Sequence, residues 1–275
     1  MQFLEDLAKH GFLQYALLGG LLASIACGLL GPFVVVRRIG YVAGGIAHSL
    51  LWGLGLALVL GQSPLLGATL AALVGALLIG WVTLHWREQE DTVISALWSI
   101  GMAGGVLLIT HTPGYQTDLM SYLFGNILMV TPSDIQLMVI LDIFLIFLMV
   151  LFYRQFLALS FDEEFARLRG LPTMALYLLL LCMIALTIVL VMQVVGMILL
   201  IALLTLPAAI AAQHVSNLGR MMMLASGLGT LFSLLGLDIS YQLDYPTGAT
   251  IILIIGIAYL ISTAYRSLRM RLTKA

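Results

Sequence analysis

The chain has 275 residues, of which 62% are hydrophobic and only 9% charged, and its mean hydropathy is +1.11. Soluble domains carry about 25% charged residues, so this composition excludes an ordinary soluble enzyme and a nucleic-acid binder and leaves a polytopic membrane protein. The net charge of −1 says nothing about partners, because in a membrane protein the placement of charge matters more than its sum.

The opening MQFLEDLAKHGF puts acidic residues ahead of the first apolar run and has no basic stretch, so no cleaved signal peptide is expected. A spanning helix needs about 20 mostly apolar residues. In chain order the runs that qualify are 12–36, 42–60, 64–84, 93–110, 135–152, 173–195, 196–212, 221–237 and 247–265. The unbroken apolar stretch from Thr173 to Ala212 is too long for one helix and is divided at Gly196. The fold class is therefore all-α, with about nine transmembrane helices, eight or ten being the alternatives, in a single transmembrane domain over 1–275. Between His111 and Thr131 lies a shorter apolar segment, 119–130. Its length cannot cross about 30 Å of hydrocarbon, so it reads as a re-entrant helix on the outer side. Thr131-Pro132-Ser133-Asp134 then reads as the start of the next helix.

Orientation follows from the positive charges. If the stretches after the first, third, fifth, seventh and ninth spans are cytoplasmic, they hold Arg37, Arg38, Arg87, Arg154, Arg167, Arg169, Arg220, Arg266, Arg269, Arg271 and Lys274, leaving only Lys9 outside. The C-terminus is then cytoplasmic and the N-terminus external.

Ionisable groups inside a membrane are costly and mark function. His48, in VAGGIAHSLLWGLGLAL, is the clearest, among glycines (Gly44, Gly45, Gly53, Gly55) that permit close helix packing or a locally unwound backbone. A neutral imidazole suits a borderline transition metal; an interhelical hydrogen bond from a buried histidine is the competing reading. Asp142 sits within the fifth span, either lining a pathway or facing the bundle as a satisfied carboxylate. Asp118, Asp134, Asp238 and Asp244, with Glu5 and Asp6, fall on the outer side, as metal-ligating oxygens or as exposed acidic loops. His214 lies at a cytoplasmic exit, where a histidine reaching the interface is an ordinary feature. Met221-Met222-Met223 suits packing against lipid or helices, with soft-metal handling as the other reading. Cys27 and Cys182, both inside apolar runs, are buried small side chains and not a disulfide framework.

The cytoplasmic stretch SFDEEFARLRGLP, 160–172, carries the richest pattern. Ser160 and Glu163 have capping-box spacing, and Asp162, Glu163 and Glu164 fill the first turn, where the helix dipole favours acids. Phe161, Phe165 and Leu168 share one face; Arg167 and Arg169 follow, and Gly170 and Pro172 end the helix. Such a capped amphipathic helix over about 161–171 is built either to dock into another protein or to lie on lipid. The chain has no GxxxxGK[ST] loop, so any ATP that drives it is hydrolysed on another polypeptide, and no Ser/His or HExxH arrangement suggests a protease.

Five segments in order resemble the permease subunits of ABC importers for zinc, manganese and iron: VVRRIGYVAGGIAHSLLWG (35–53), DLMSYLFGNIL (118–128), FDEEFARLRGLP (161–172), VVGMILLIALLTLPAAIA (194–211) and YQLDYPTGATIIL (241–253). The resemblance covers nearly the whole chain. It implies a homodimeric pathway in a bacterial or archaeal inner membrane, two copies of a separate ABC ATPase, and an extracytoplasmic metal-binding protein that delivers zinc or manganese, or iron. It also implies that Asp162, Glu163, Glu164, Ala166, Arg167 and Gly170 form the coupling helix seated in the ATPase. His48 matches the family's histidine that, with an acid four residues earlier, binds metal in transit. Here the sequence departs from the pattern, since that earlier position is Gly44. Either Asp118 or Asp142 substitutes, or metal passes a weaker site. Permeation of a metal chelate or another small solute, a secondary metal/proton exchanger, and a structural membrane subunit are the alternatives. An exchanger should carry several intramembrane carboxylates, whereas only Asp142 lies inside a span.

Overall fold

The computed structural model describes residues 6, 7, 9–86, 90–112, 125 and 127–272. Glu5, Arg87, Asp118, Lys274 and most of the expected re-entrant segment at 119–130 lie outside the described residues. The helices are α1 (Gly11–Val36), α2 (Gly40–Val59), α3 (Pro64–His85), α4 (Glu90–His111), α5 (Pro132–Phe161), α6 (Glu163–Leu168), α7 (Thr173–Val195), α8 (Met197–His214), α9 (Leu218–Leu243) and α10 (Thr247–Leu272), with a 3-10 turn at Ile127–Met129. Among the described residues no strand occurs, and nine helices are long and apolar enough to cross a membrane. This pattern is what a bilayer permits, because helices satisfy every backbone polar group internally.

The apolar runs locate the spans, but three helices outlast them. α5 continues past the expected end at 152 through Tyr153-Arg154-Gln155 to Phe161, and α9 and α10 likewise exceed 237 and 265. A charge ends residence in hydrocarbon; it does not end a helix, and Arg and Gln are good helix formers. Helix ends are set by local chemistry instead. Pro64 occupies the first turn of α3. At the start of α5 the Thr131 backbone N–H donates to Asp134 Oδ2 (2.9 Å), and the Asp134 N–H donates back to Thr131 Oγ1 (3.3 Å), a reciprocal cap. The break between α7 and α8 falls at Gly196, whose φ of 81° is in the region glycine favours.

The chain forms two compact units. One comprises Met1–Val35, Phe124–Phe144 and Val191–Ala275; the other comprises Val36–Leu123 and Leu145–Leu190. In the first, α8, α9 and α10 pack mutually, and α1 lies against α8 and α9 through small residues. A Cβ at Gly28 would stand 2.5 Å from the Ser226 backbone nitrogen, and one at Gly31 would collide with the Leu204 carbonyl. Ser24 Oγ donates to the Gly20 carbonyl (2.7 Å) and meets Ser233 Oγ at 3.4 Å. In the second unit α2 packs on α3 and α4. There a Cβ at Gly101 would lie 2.6 Å from Ser49 Cα, and one at Gly105 would lie 2.6 Å from the Leu51 carbonyl carbon. Such backbone-to-backbone approach is how helices associate where lipid removes the hydrophobic drive.

Gly28→Ala should therefore overpack the α1–α9 crossing and destabilise the protein by about 1–3 kcal/mol. Gly227→Ala, on α9 beside Ser226, where a Cβ meets nothing within 4 Å, should stabilise it by roughly 0.5–1 kcal/mol. Thermal unfolding in detergent reads both; equal effects would contradict the packing assigned to Gly28.

Candidate functional site

His48 lies on α2 in the second unit, half-buried. Its imidazole stacks on the Trp98 ring of α4, with centroids 4.2 Å apart and planes within 15°. The Tyr41 ring tilts against Trp98 with centroids 5.9 Å apart, and the Tyr41 hydroxyl hydrogen-bonds Ser95. His48 Nδ1 is buried and makes no hydrogen bond within the protein, so the interhelical hydrogen bond considered from sequence is not made by this atom. Gly44 and Gly45, one turn earlier, are covered by α4. A Cβ at Gly44 would come within 2.9 Å of Trp98, and one at Gly45 within 2.6 Å of Ile94.

Asp142, on α5 in the first unit, is 5% exposed, and neither carboxylate oxygen has a hydrogen-bond partner. The remaining candidates are held by local structure. Asp134 caps α5 and accepts from Gln193 (3.4 Å). Asp238 accepts from Gln242, one turn on, at 2.8 Å. Asp244 closes α9 with φ 54°. His214 Nε2 pairs with Ser262 Oγ (3.1 Å), and the same hydroxyl donates to Gln213 Oε1 (2.7 Å), tying the end of α8 to the interior of α10. Asp118 lies outside the described residues. Among the described residues no group of three His, Cys, Asp or Glu stands together as a metal cluster.

The amphipathic loop forms as a helix, with one correction. Its cap is Asp162, whose Oδ1 accepts from the Phe165 N–H at 2.8 Å, whereas Ser160 Oγ makes no hydrogen bond. Ser160 cannot cap because α5 runs on to Phe161, so Asp162 is the first residue with extended backbone (φ −152°, ψ 94°). The exit is a Schellman motif: Leu171 N–H donates to the Ala166 carbonyl (3.1 Å) and Gly170 N–H to that of Arg167 (2.9 Å), with Gly170 at φ 76°. Ala166 is fully buried, while Phe161, Phe165 and Leu168 are exposed.

What holds α6 in place is a residue whose role the sequence hid. Arg37, just after α1, donates from Nη1 to the Leu159 carbonyl (2.7 Å), one of the last-turn carbonyls of α5 that no helical N–H can reach. Its Nη2 stands 3.5 Å from Glu163, which also faces Arg167 across one turn of α6 at 3.5 Å. The guanidinium lies over the Tyr177 ring of α7, 4.8 Å from the centroid. A pair of adjacent arginines at a span end signals topology, and nothing in the local spacing shows that one of them turns inward.

The profile described as the ABC 3 transport family matches residues 9–266. The membrane protein slr2045 of Synechocystis sp. is 48% identical, over 94% of this chain and 92% of its own length. The manganese import system permease protein ScaB of Streptococcus parasanguinis is 34% identical, over 95% of this chain and 93% of its own. Among solved structures, PsaBC from Streptococcus pneumoniae in complex with Fab matches with a TM-score of 0.86 and 34% identity, covering 95% of this chain and 94% of that chain.

Arg37→Ala removes a hydrogen bond to a charged donor, worth about 1.5–3 kcal/mol. It should lower the unfolding midpoint and speed amide exchange over 163–168. Arg169→Ala, an exposed side chain resting on Phe165 at 4.7 Å, should stay within about 0.5 kcal/mol. Equal exchange in both variants would contradict the anchoring role.

Proposed function

The chain belongs to the ABC 3 transport family, and on that premise we propose that it is the membrane-spanning permease subunit of an ABC importer for a divalent transition metal ion, manganese first and zinc next. The observation that carries this reading is the α6 helix: capped at both ends, fastened by Arg37, and presenting Phe165, Leu168 and Glu164 outward, on a chain without a phosphate loop of its own. The named manganese import permease among its relatives supports the cargo.

In this reading two copies of the chain form the pathway in a bacterial or archaeal inner membrane, with the C-terminus in the cytoplasm. Two ATPase subunits receive residues 162–170, and an extracytoplasmic binding protein delivers the metal. Because α6 is fixed to α5, α7 and the turn after α1 through one guanidinium, displacement of α6 by ATPase closure acts on those three elements together. That is how a small cytoplasmic movement switches the cavity between outward and inward access. His48 offers one imidazole to the metal in transit. A single neutral donor binds weakly, which suits a transporter that must release its cargo. The permease does no covalent chemistry.

Asp142 favours a second reading. A buried carboxyl without partners is what a proton-coupled exchanger would carry, and metal uptake independent of ATP would select that reading.

Replacing Glu164 and Gly170 together should reduce ATP-driven manganese uptake into vesicles to background while the protein stays in the membrane; undiminished uptake would remove α6 from the coupling role. His48→Ala should change the relative uptake of manganese and zinc. An identical metal profile would return His48 to a packing role.

A further inference from the structure

One flat ring of α4 reaches two successive turns of α2. Its face carries the His48 imidazole at 4.2 Å and 15°, and its edge occupies the space above Gly44, where a Cβ would stand 2.9 Å from one ring carbon and 3.4 Å from the next. Real Cβ contacts are not as short as 2.9 Å, so a side chain at 44 requires the Trp98 ring to leave its stacked position. His48 lies on its face, Tyr41 tilts against it at 5.9 Å, and Tyr41 is itself bonded to Ser95 on the same helix as Trp98. Position 44 and the stacked Trp98 ring thus compete for the same space. Position 44 is also one helical turn before His48, and residues three or four apart on a helix are neighbours; the other such positions on α2 hold Gly45, Leu51 and Trp52, none of which offers an oxygen ligand.

We propose that Trp98 is the specificity-determining residue of the passage: it orients the His48 ring and sterically excludes a carboxylate from position 44, so that a cation at His48 meets one imidazole and no oxygen ligand from the same helix. This rests on the reading of His48 as a metal contact. The consequence is a site of low affinity that keeps most of the ion's water. The choice between hard and borderline ions is correspondingly shallow, since carboxylate oxygen favours manganese whereas imidazole also suits zinc. The scarcity of donors is consistent with the absence of any three-ligand cluster among the described residues. His48 Nδ1, buried without a hydrogen bond, fits a ring held by stacking instead of by a polar partner.

The test is a cycle between positions 44 and 98 in the full-length protein with its ATPase. Gly44→Ala should lower the unfolding midpoint when Trp98 is present and leave it unchanged in Trp98→Ala; an equal drop in both backgrounds overturns the exclusion. This arm involves no metal and decides the steric claim even if the import reading fails, as it would if the unmodified complex showed no ATP-driven uptake. The second arm reads binding of manganese(II) by loss of its free electron-paramagnetic signal. Gly44→Asp alone should bind no more tightly than the parent. Gly44→Asp with Trp98→Ala should bind at least about tenfold more tightly, a change of about 1.4 kcal/mol, and further His48→Ala should abolish the gain. Trp98→Phe, which keeps an aromatic face but lacks the ring edge over Gly44, serves as a second background should Trp98→Ala fold poorly. Equal manganese binding by Gly44→Asp with and without Trp98, or a gain that survives His48→Ala, overturns the proposal.

Discussion

The guanidinium of Arg37 is the constraint on which the α6 end of the second unit depends. A cation set at the membrane boundary must find acceptors, and this one finds three kinds: the Leu159 carbonyl, the Glu163 carboxylate and the Tyr177 ring face. Each is supplied by a different element. The carbonyl belongs to the C-terminal end of α5, where the helix dipole is negative and a positive charge is stabilised. The carboxylate belongs to the first turn of α6, where acids are favoured for the opposite reason. One side chain therefore reads the polarity of two helix ends at once. The Asp162 cap and the Gly170 exit then fix where α6 starts and stops.

Within the apolar regions, specificity comes from what is missing. Lipid is as apolar as leucine, so helices gain little by burying leucine against one another, and contact is decided by how near the backbones can come. Gly28 and Gly31 let α1 meet α9 and α8, and Gly101 and Gly105 let α4 meet α2. Polar contacts among the described buried residues join hydroxyl groups, such as Ser24 with Ser233 and Ser240 with Thr247. Asp142 and His48 Nδ1 stand out because they break this economy, each buried without a hydrogen bond.

Much of this was legible in the sequence because the bilayer imposes a coarse rule. Hydropathy places the spans, and Gly196 divides the long run at the residue where the helix breaks. The ends of α5, α9 and α10 were not legible, since hydropathy reports the membrane and not the hydrogen-bond ladder. The cap of α6 was misplaced from Asp162 to Ser160 for the same reason: the spacing rule assumes the chain before the cap is non-helical, and α5 continues to Phe161. His48 could be singled out as an ionisable group in an apolar run. Trp98 could not, because nothing local distinguishes an aromatic that floors a histidine from one that faces lipid. Arg37 was read for its charge alone, although its contacts with α5, α6 and α7 are long-range pairings.

These features make one device: an exposed short helix tied by a half-buried cation to the elements around it, on a membrane chain that carries no phosphate loop of its own. The most direct measurement is recovery of the tagged, full-length protein from its native membrane in mild detergent, with partners identified by mass spectrometry, for the parent and for the Glu164/Gly170 variant. The account predicts that an ATPase carrying a phosphate loop is recovered with the parent and lost with the variant. A protein that is recovered alone, and that moves manganese into vesicles without ATP, would contradict it.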